Sequence, residues 1–151
     1  MKLNRRIVGG ENASNPIPWQ VHVDRVCGGT IINERTILTA AHCFSWGFPP
    51  ANYIEAGIKT IGSLDAQRIK VIQTIIHPMF SPIFGLDNDI AILRLKSSLI
   101  FNENVQPACL PRRRSFMPEN TGELAVISGW GDTFQGKGYA QVIIHCKHNT
   151  Y

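Results

Sequence analysis

The chain has 151 residues, 44% hydrophobic and 17% charged, which is the length of one domain or slightly more, with enough apolar side chains to bury a core and exclude disorder. A net charge of +4 and a pI near 9.0 raise nucleic acid as a partner, but the one dense basic run, Arg112-Arg113-Arg114, has no interleaved aromatics and reads as a solvated linker. No apolar run reaches the roughly 18 residues of a membrane helix, so neither nucleic acid nor membrane is expected as a partner.

Met1 to Arg6 is a polar, basic tail without an apolar stretch of secretory length. Pro16-Ile17-Pro18 punctuates the entry to a first strand near Trp19–Val23. Cys27-Gly28-Gly29 predicts a turn or a close backbone approach, followed by strands at Thr30–Asn33 and Thr36–Thr39 and a short helical turn at Ala40–Cys43. Phe48-Pro49-Pro50 breaks the chain. Strands are expected at Tyr53–Ile61 and Arg68–Ile76, each with imperfect alternation, then a loop from His77 to Asp89 and a buried strand at Ile90–Leu95. The segment 96–123, with Pro107, Pro111 and Pro118, has a linker's composition. A further strand begins at Leu124 and ends at Ser128-Gly129-Trp130-Gly131, and Val142-Ile143-Ile144 opens one more. Thirteen glycines and nine prolines among short apolar runs, without a helical period, predict an all-β barrel or sandwich.

Two motifs carry chemistry. His42 stands in Leu38-Thr39-Ala40-Ala41-His42-Cys43. The small neighbours let an imidazole lie close to the backbone, and its near-neutral pKa suits a general base. A lone histidine would more simply be a satisfied core residue; the surrounding string is what singles this one out. Asp89 ends Asp87-Asn88-Asp89, immediately before the apolar run Ile90–Leu95. A carboxylate drawn toward a core costs several kcal/mol unless hydrogen-bonded, and an imidazole N–H is a suitable donor. The plainer reading is an Asx turn, which suffices for Asp87 and Asn88. At Arg6-Ile7, cleavage would free an ammonium on Ile7. Asn12-Ala13-Ser14 is a glycosylation sequon. The tail His145-Cys146-Lys147-His148 has metal-binding residue types, but they are too close in sequence for one tetrahedral ion and have no second cluster. No metal or other cofactor is expected.

Taken together, Arg6-Ile7-Val8-Gly9-Gly10, the His42 and Asp89 blocks and Ser128-Gly129-Trp130-Gly131 resemble the trypsin- and chymotrypsin-like serine proteases. Cys27-Gly28-Gly29-Thr30 and Gln106-Pro107-Ala108-Cys109-Leu110-Pro111 fit as well, so the resemblance runs from Arg6 to about Gly131. It implies an all-β fold of antiparallel barrels, with an activation-peptide remnant at 1–6, a complete first barrel at 7–111, a linker at 112–123 and the start of a second barrel at 124–151. It implies that His42 is the general base, Asp89 the orienting acid, Arg6-Ile7 the activation bond, and Cys27–Cys43 a disulfide bracing the base's loop. It further implies a secreted zymogen that hydrolyses peptide bonds in protein or peptide substrates.

The chain departs from the family at the nucleophile, and at Ala125, where the family often has a cysteine. Its serines are Ser14, Ser45, Ser63, Ser81, Ser97, Ser98, Ser115 and Ser128, and none lies in a Gly-Asp-Ser-Gly-Gly block. No nucleophile is therefore assigned, and the chain alone is expected to be inactive. A fragment of an endopeptidase is the first reading. The alternative is a catalytically inactive homologue that acts by binding. Cys109 and Cys146 either pair with each other or remain free.

Overall fold

Apolar residues on alternate positions give short strands one face to bury, and six of them satisfy that need together by closing into a barrel. The computed structural model describes residues 11–24, 27–45, 49–83, 85–110, 124–131 and 144–149, with backbone alone for 124–125 and 144–149. The expected activation bond Arg6-Ile7 and the Arg112–Arg114 run lie outside the described residues.

The strands are β1 (Glu11–Asn12), β2 (Gln20–Val23), β3 (Cys27–Asn33), β4 (Thr36–Thr39), β5 (Tyr53–Ala56), β6 (Gln67–Ile76), β7 (Ala91–Leu95), β8 (Leu124–Gly129) and β9 (Ile144–Asn149). They belong to two compact units. The unit Pro16–Cys109 contains a closed antiparallel barrel in the order β2-β3-β4-β7-β6-β5, which establishes the expected all-β barrel class. The unit drawn from residues 1–15 and 110–151 contains an antiparallel three-stranded sheet, β1-β9-β8.

The barrel interior is filled by Val21, Val23, Ile31, Ile37, Ile54, Leu93, Leu95 and Val105, all fully buried. Each aliphatic side chain of this size contributes about 1.5–3 kcal/mol on burial. Alternation is plain in β7, where Ala91, Leu93 and Leu95 point inward. It is masked in β6 by a register shift between Val71 and Gln73, an extra residue that moves the second half of the strand out of phase. That is why β6 alternates imperfectly in the sequence. β2 hides its period differently, because all four of its residues are buried.

Glycine sets two positions. A Cβ on Gly29 would stand 2.7 Å from Ile37 Cγ2 and 3.2 Å from Leu38 O, so β3 packs against β4 only because this residue has no side chain. Gly57 has φ of +74° and ends β5 at Ala56, which makes that strand shorter than the expected Tyr53–Ile61. β3 in turn begins earlier than expected, at Cys27, because Gly28 and Gly29 pair with His22 and Val21; of the two expectations for Cys27-Gly28-Gly29, the close backbone approach holds and the turn does not. Within the segment of linker composition, Leu99 and Val105 are core residues. β9 is described from Ile144, and the expected start at Val142 and Ile143 lies outside the described residues.

Candidate active site

The two candidate residues are brought together by one strand pair. β4 and β7 are antiparallel neighbours with Thr39 opposite Ala91. His42 comes three residues after Thr39 and Asp89 two residues before Ala91, so the same barrel edge delivers both. Beyond β4 the chain forms a 3₁₀ turn over Ala41–Phe44. Ala41 is fully buried beneath it, which explains the need for small residues before His42.

His42 and Asp89 make two hydrogen bonds. The His42 backbone N–H donates to Asp89 Oδ1 at 2.8 Å, and His42 Nδ1 lies 2.7 Å from Asp89 Oδ2. Burial alone would raise the Asp89 carboxyl. The hydrogen bonds from the His42 side chain and backbone, the His42 charge and the Ala41 amide outweigh it and hold the group below its ordinary value. Asp89 is therefore ionised near neutrality and can only accept. The proton of the neutral ring must then sit on Nδ1, which leaves Nε2 as the basic nitrogen. This is the tautomer that proton abstraction requires.

Neighbouring groups fix both partners. The hydroxyl and amide of Ser45 donate to the carbonyl of His42 at 3.0 and 3.3 Å. Asn88 adopts the left-handed region with φ of +56°, which asparagine tolerates better than most residues. Its side-chain amide donates to Met79 O at 3.0 Å, and the Ile90 amide donates to Asn88 O at 2.7 Å. The expected turn at Asp87-Asn88 is therefore the device that aims Asp89. Thr39 Oγ1 donates to Gly28 O at 2.8 Å and ties β4 to β3 just before the 3₁₀ turn. Ser45, Asn88 and Thr39 were not singled out from sequence. Their contacts are to backbone groups, and backbone partners leave no mark in residue type; only the Asx signal at Asn88 hinted at a role.

Cys27 and Cys43 form a disulfide across 16 residues, and Cys27 and Phe44 pack against the core cluster. The 3₁₀ turn is thus anchored to the barrel immediately after His42. Cys27, His42 and Cys43 present ligand-type atoms within 4.8 Å of one another. Both sulfurs are consumed in the disulfide, though, and a metal needs thiolates. Cys109 is exposed with a free thiol, and the Cys146 side chain is outside what the structure describes. Asn12 of the sequon is exposed on β1.

A second histidine-carboxylate pair lies elsewhere on the barrel. His22 of β2 and Glu55 of β5 are cross-strand partners with His22 Nδ1 3.6 Å from Glu55 Oε2, and both side chains are about 8% exposed. Burial lowers the His22 pKa against the raising influence of Glu55 and Asp24. Nothing in the sequence marked this pair, because the two residues are far apart in the chain and lie within short strands.

The Trypsin family model matches residues 7–149. Among curated proteins the chain is 36% identical over 141 residues to complement C1s subcomponent of Rattus norvegicus and 35% identical over 141 residues to a calcium-dependent serine proteinase of Mesocricetus auratus. It is 34% identical over 140 residues to transmembrane protease serine 9 of Rattus norvegicus. Each match covers 87% of this chain, but only 20%, 20% and 13% of those relatives respectively. No described helix is long and apolar enough to cross a membrane. A family match over nearly the whole chain, together with the closed barrel and the histidine-carboxylate couple at its edge, places this protein in the trypsin-like serine protease family.

Proposed function

We propose that this chain contributes the base and the orienting acid of a serine endopeptidase whose nucleophile lies outside these 151 residues. The observation that carries this reading is the 2.7 Å contact between His42 Nδ1 and Asp89 Oδ2, with an Asp89 carboxyl that favours its charged form. In a completed site, Nε2 of His42 removes the proton of an attacking serine and returns it to the leaving amine. Asp89 keeps the ring in the productive tautomer and stabilises the imidazolium as it forms. Acyl transfer to the serine and then to water hydrolyses a peptide bond in a protein or peptide substrate.

In this proposal residues 1–6 are the remnant of an activation peptide, 7–111 the first barrel, 112–123 a linker and 124–151 the start of a second barrel. Arg6-Ile7 is the bond cut on activation. The disulfide supports an oxidising, extracellular location, where Asn12 is available as a glycan acceptor. Because no Gly-Asp-Ser-Gly-Gly block occurs in the sequence, the chain by itself has no peptidase activity. The oxyanion hole and substrate pocket that leave about 10³–10⁴-fold residual catalysis in triad mutants are likewise not assigned to any residue here.

The same absent block favours a second reading, an inactive homologue that works by binding. The discriminating experiment is to sequence longer transcripts of this gene and assay their product on peptide substrates. A product that carries the serine block, hydrolyses peptides and loses that activity in His42→Ala supports the endopeptidase. Longer transcripts without the block sink it in favour of the binding protein.

A further inference from the structure

The outer face of the barrel carries a cluster of cations that the hydrolytic chemistry does not use. On β6, Ile69 and Val71 point inward, so Arg68, Lys70 and Ile72 point outward. On β7, Leu93 and Leu95 point inward, so Arg94 and the following Lys96 point outward. The ladder continues past the Val71–Leu95 pair, with the Lys96 amide donating to Lys70 O at 2.9 Å. Lys70 and Lys96 therefore stand opposite each other on neighbouring strands. Arg35, in the β3–β4 turn, joins them by donating from Nη2 to Lys96 O at 2.8 Å.

Like charges directly opposite each other on a sheet are destabilising. Two lysines and an arginine held together in this way carry a cost that an anion would relieve. None of Arg35, Arg68, Lys70, Arg94 and Lys96 is in an ion pair among the described residues. The bordering acid Glu55 sits with His22 instead, and Glu34 makes no ion pair with the five. Arg94 is held by its Nη1 bond to Thr36 Oγ1 at 2.6 Å. The Arg68 guanidinium lies 3.5 Å from the Tyr53 ring centre, and stacking over a ring face uses none of the N–H donors that can bind a carboxylate.

Apolar surface runs through the same face. Ile72 is 59% exposed, in line with Lys70 and Arg68, and the half-buried Tyr53 ring borders Arg68. The row Arg68–Lys70–Ile72 spans about 13 Å at 3.3 Å per residue, the reach of a short extended peptide. Lys70 and Lys96 lie toward the end of β7 away from Asp89, seven residues on from it at Lys96 and about 23 Å at full extension, while Arg94, five residues on, is the cation of the cluster nearest to Asp89 along the chain.

We propose that this outer face of β6 and β7, with Arg35 at its end, is a docking surface for an acidic polypeptide segment that also carries apolar side chains. The carboxylates meet the Arg68, Lys70, Arg94, Lys96 and Arg35 cluster, and an apolar side chain lies on Ile72. The inference needs no nucleophile, so it stands or falls independently of the hydrolytic reading.

The test uses the full chain and a fluorescein-labelled dodecapeptide of repeating Glu-Glu-Phe, with binding read by fluorescence anisotropy. The peptide binds, and its affinity falls as salt rises from about 50 to about 200 mM, as exposed charge pairs are screened. Lys70→Glu with Lys96→Glu weakens binding about tenfold or more, because rim charges govern electrostatic association. Lys70→Ala with Lys96→Ala weakens it less, and serves alone should the reversed pair fail to fold. Ile72→Ser weakens it without changing the salt dependence. The net charge is altered equally by Arg112→Glu with Arg113→Glu, and that variant binds like the parent. The proposal is overturned if the Glu-Glu-Phe peptide does not bind or if a Gln-Gln-Phe peptide binds equally well. It is also overturned if the Arg112/Arg113 variant loses as much affinity as the Lys70/Lys96 variant, or if a heparin oligosaccharide binds where the peptide does not.

Discussion

At Asp89 two opposing effects act on one carboxyl, and the hydrogen bonds win over burial. The sign of the pH dependence follows. A carboxyl whose folded pKa lies below its unfolded value stabilises the fold above the unfolded value, about pH 4, and that stabilisation drains away as pH falls through the lowered one. Asp89→Asn should therefore cost roughly 1–2 kcal/mol at neutral pH, the lower end of what charge-assisted bonds are worth because the pair is partly exposed. It should also flatten the acid limb of stability measured by urea unfolding; an unchanged acid limb would mean the carboxylate is not held as described. His22 behaves the same way for a different reason. Burial lowers its pKa despite Glu55 and Asp24, so the unfolded chain takes up the proton first. The stability is complete above about pH 6.5 and erodes as pH falls below it toward the lowered folded value, and His22→Gln should remove that slope in unfolding titrations below about pH 6.5. Of these two pairs, the sequence exposed only the first. His42 and Asp89 each sit in a distinctive string, whereas His22 in Gln20–Val23 looks like any polar residue in a strand, and its partner is chosen by strand register.

Among the elements, what was legible were strands whose burial is one-sided and turns that break the chain. β4 and β7 were readable because their apolar residues are dense and their ends are marked, β4 by the His42 string and β7 by the turn residues Asp87 and Asn88. The β6 bulge and the continuation of β3 through Gly28 and Gly29 were not, since both depend on a neighbouring strand. Gly29 shows why. In sequence it is half of a Gly-Gly pair that suits either a turn or a close backbone approach; in the barrel it is the close approach, where Ile37 and Leu38 come too near for any Cβ, and only the neighbouring strand decides between the two. Gly29→Ala should cost about 1–3 kcal/mol by overpacking, with the loss visible as a lower melting temperature. The disulfide also acts at this scale. Closing a 16-residue separation contributes about 3 kcal/mol in the loop-entropy model. Replacing both cysteines by serine should therefore lower the urea midpoint. It should also broaden the His42 ring resonances in NMR spectra, because the 3₁₀ turn loses its tether to β3. A midpoint unchanged by that double substitution would show that the barrel packing alone holds the turn.

At the level of the whole barrel, each strand is bonded on both sides, so no edge remains from which to fray. Leu93 occupies the centre of this arrangement. It is fully buried, and its strand pairs with β4 through Ile37 and with β6 through Thr74. Truncating it empties space that both neighbours line, and a Leu→Ala change at such a position costs about 2–5 kcal/mol. If the barrel is one cooperative block, the loss will not be confined to β7. Native-state hydrogen exchange should then show the amides of Val21, Ile31, Ile37, Ile54 and Leu93 opening at a common free energy, lowered together in Leu93→Ala by the same amount as the global stability. Because Asp89 lies two residues from the start of β7, the variant should also weaken its hold on His42 only to the extent that the barrel opens, leaving the native-state contact intact. Exchange that falls in β7 alone, with β2 and β5 unaffected, would refute a barrel acting as a single unit and would leave the histidine-carboxylate couple supported by one strand pair.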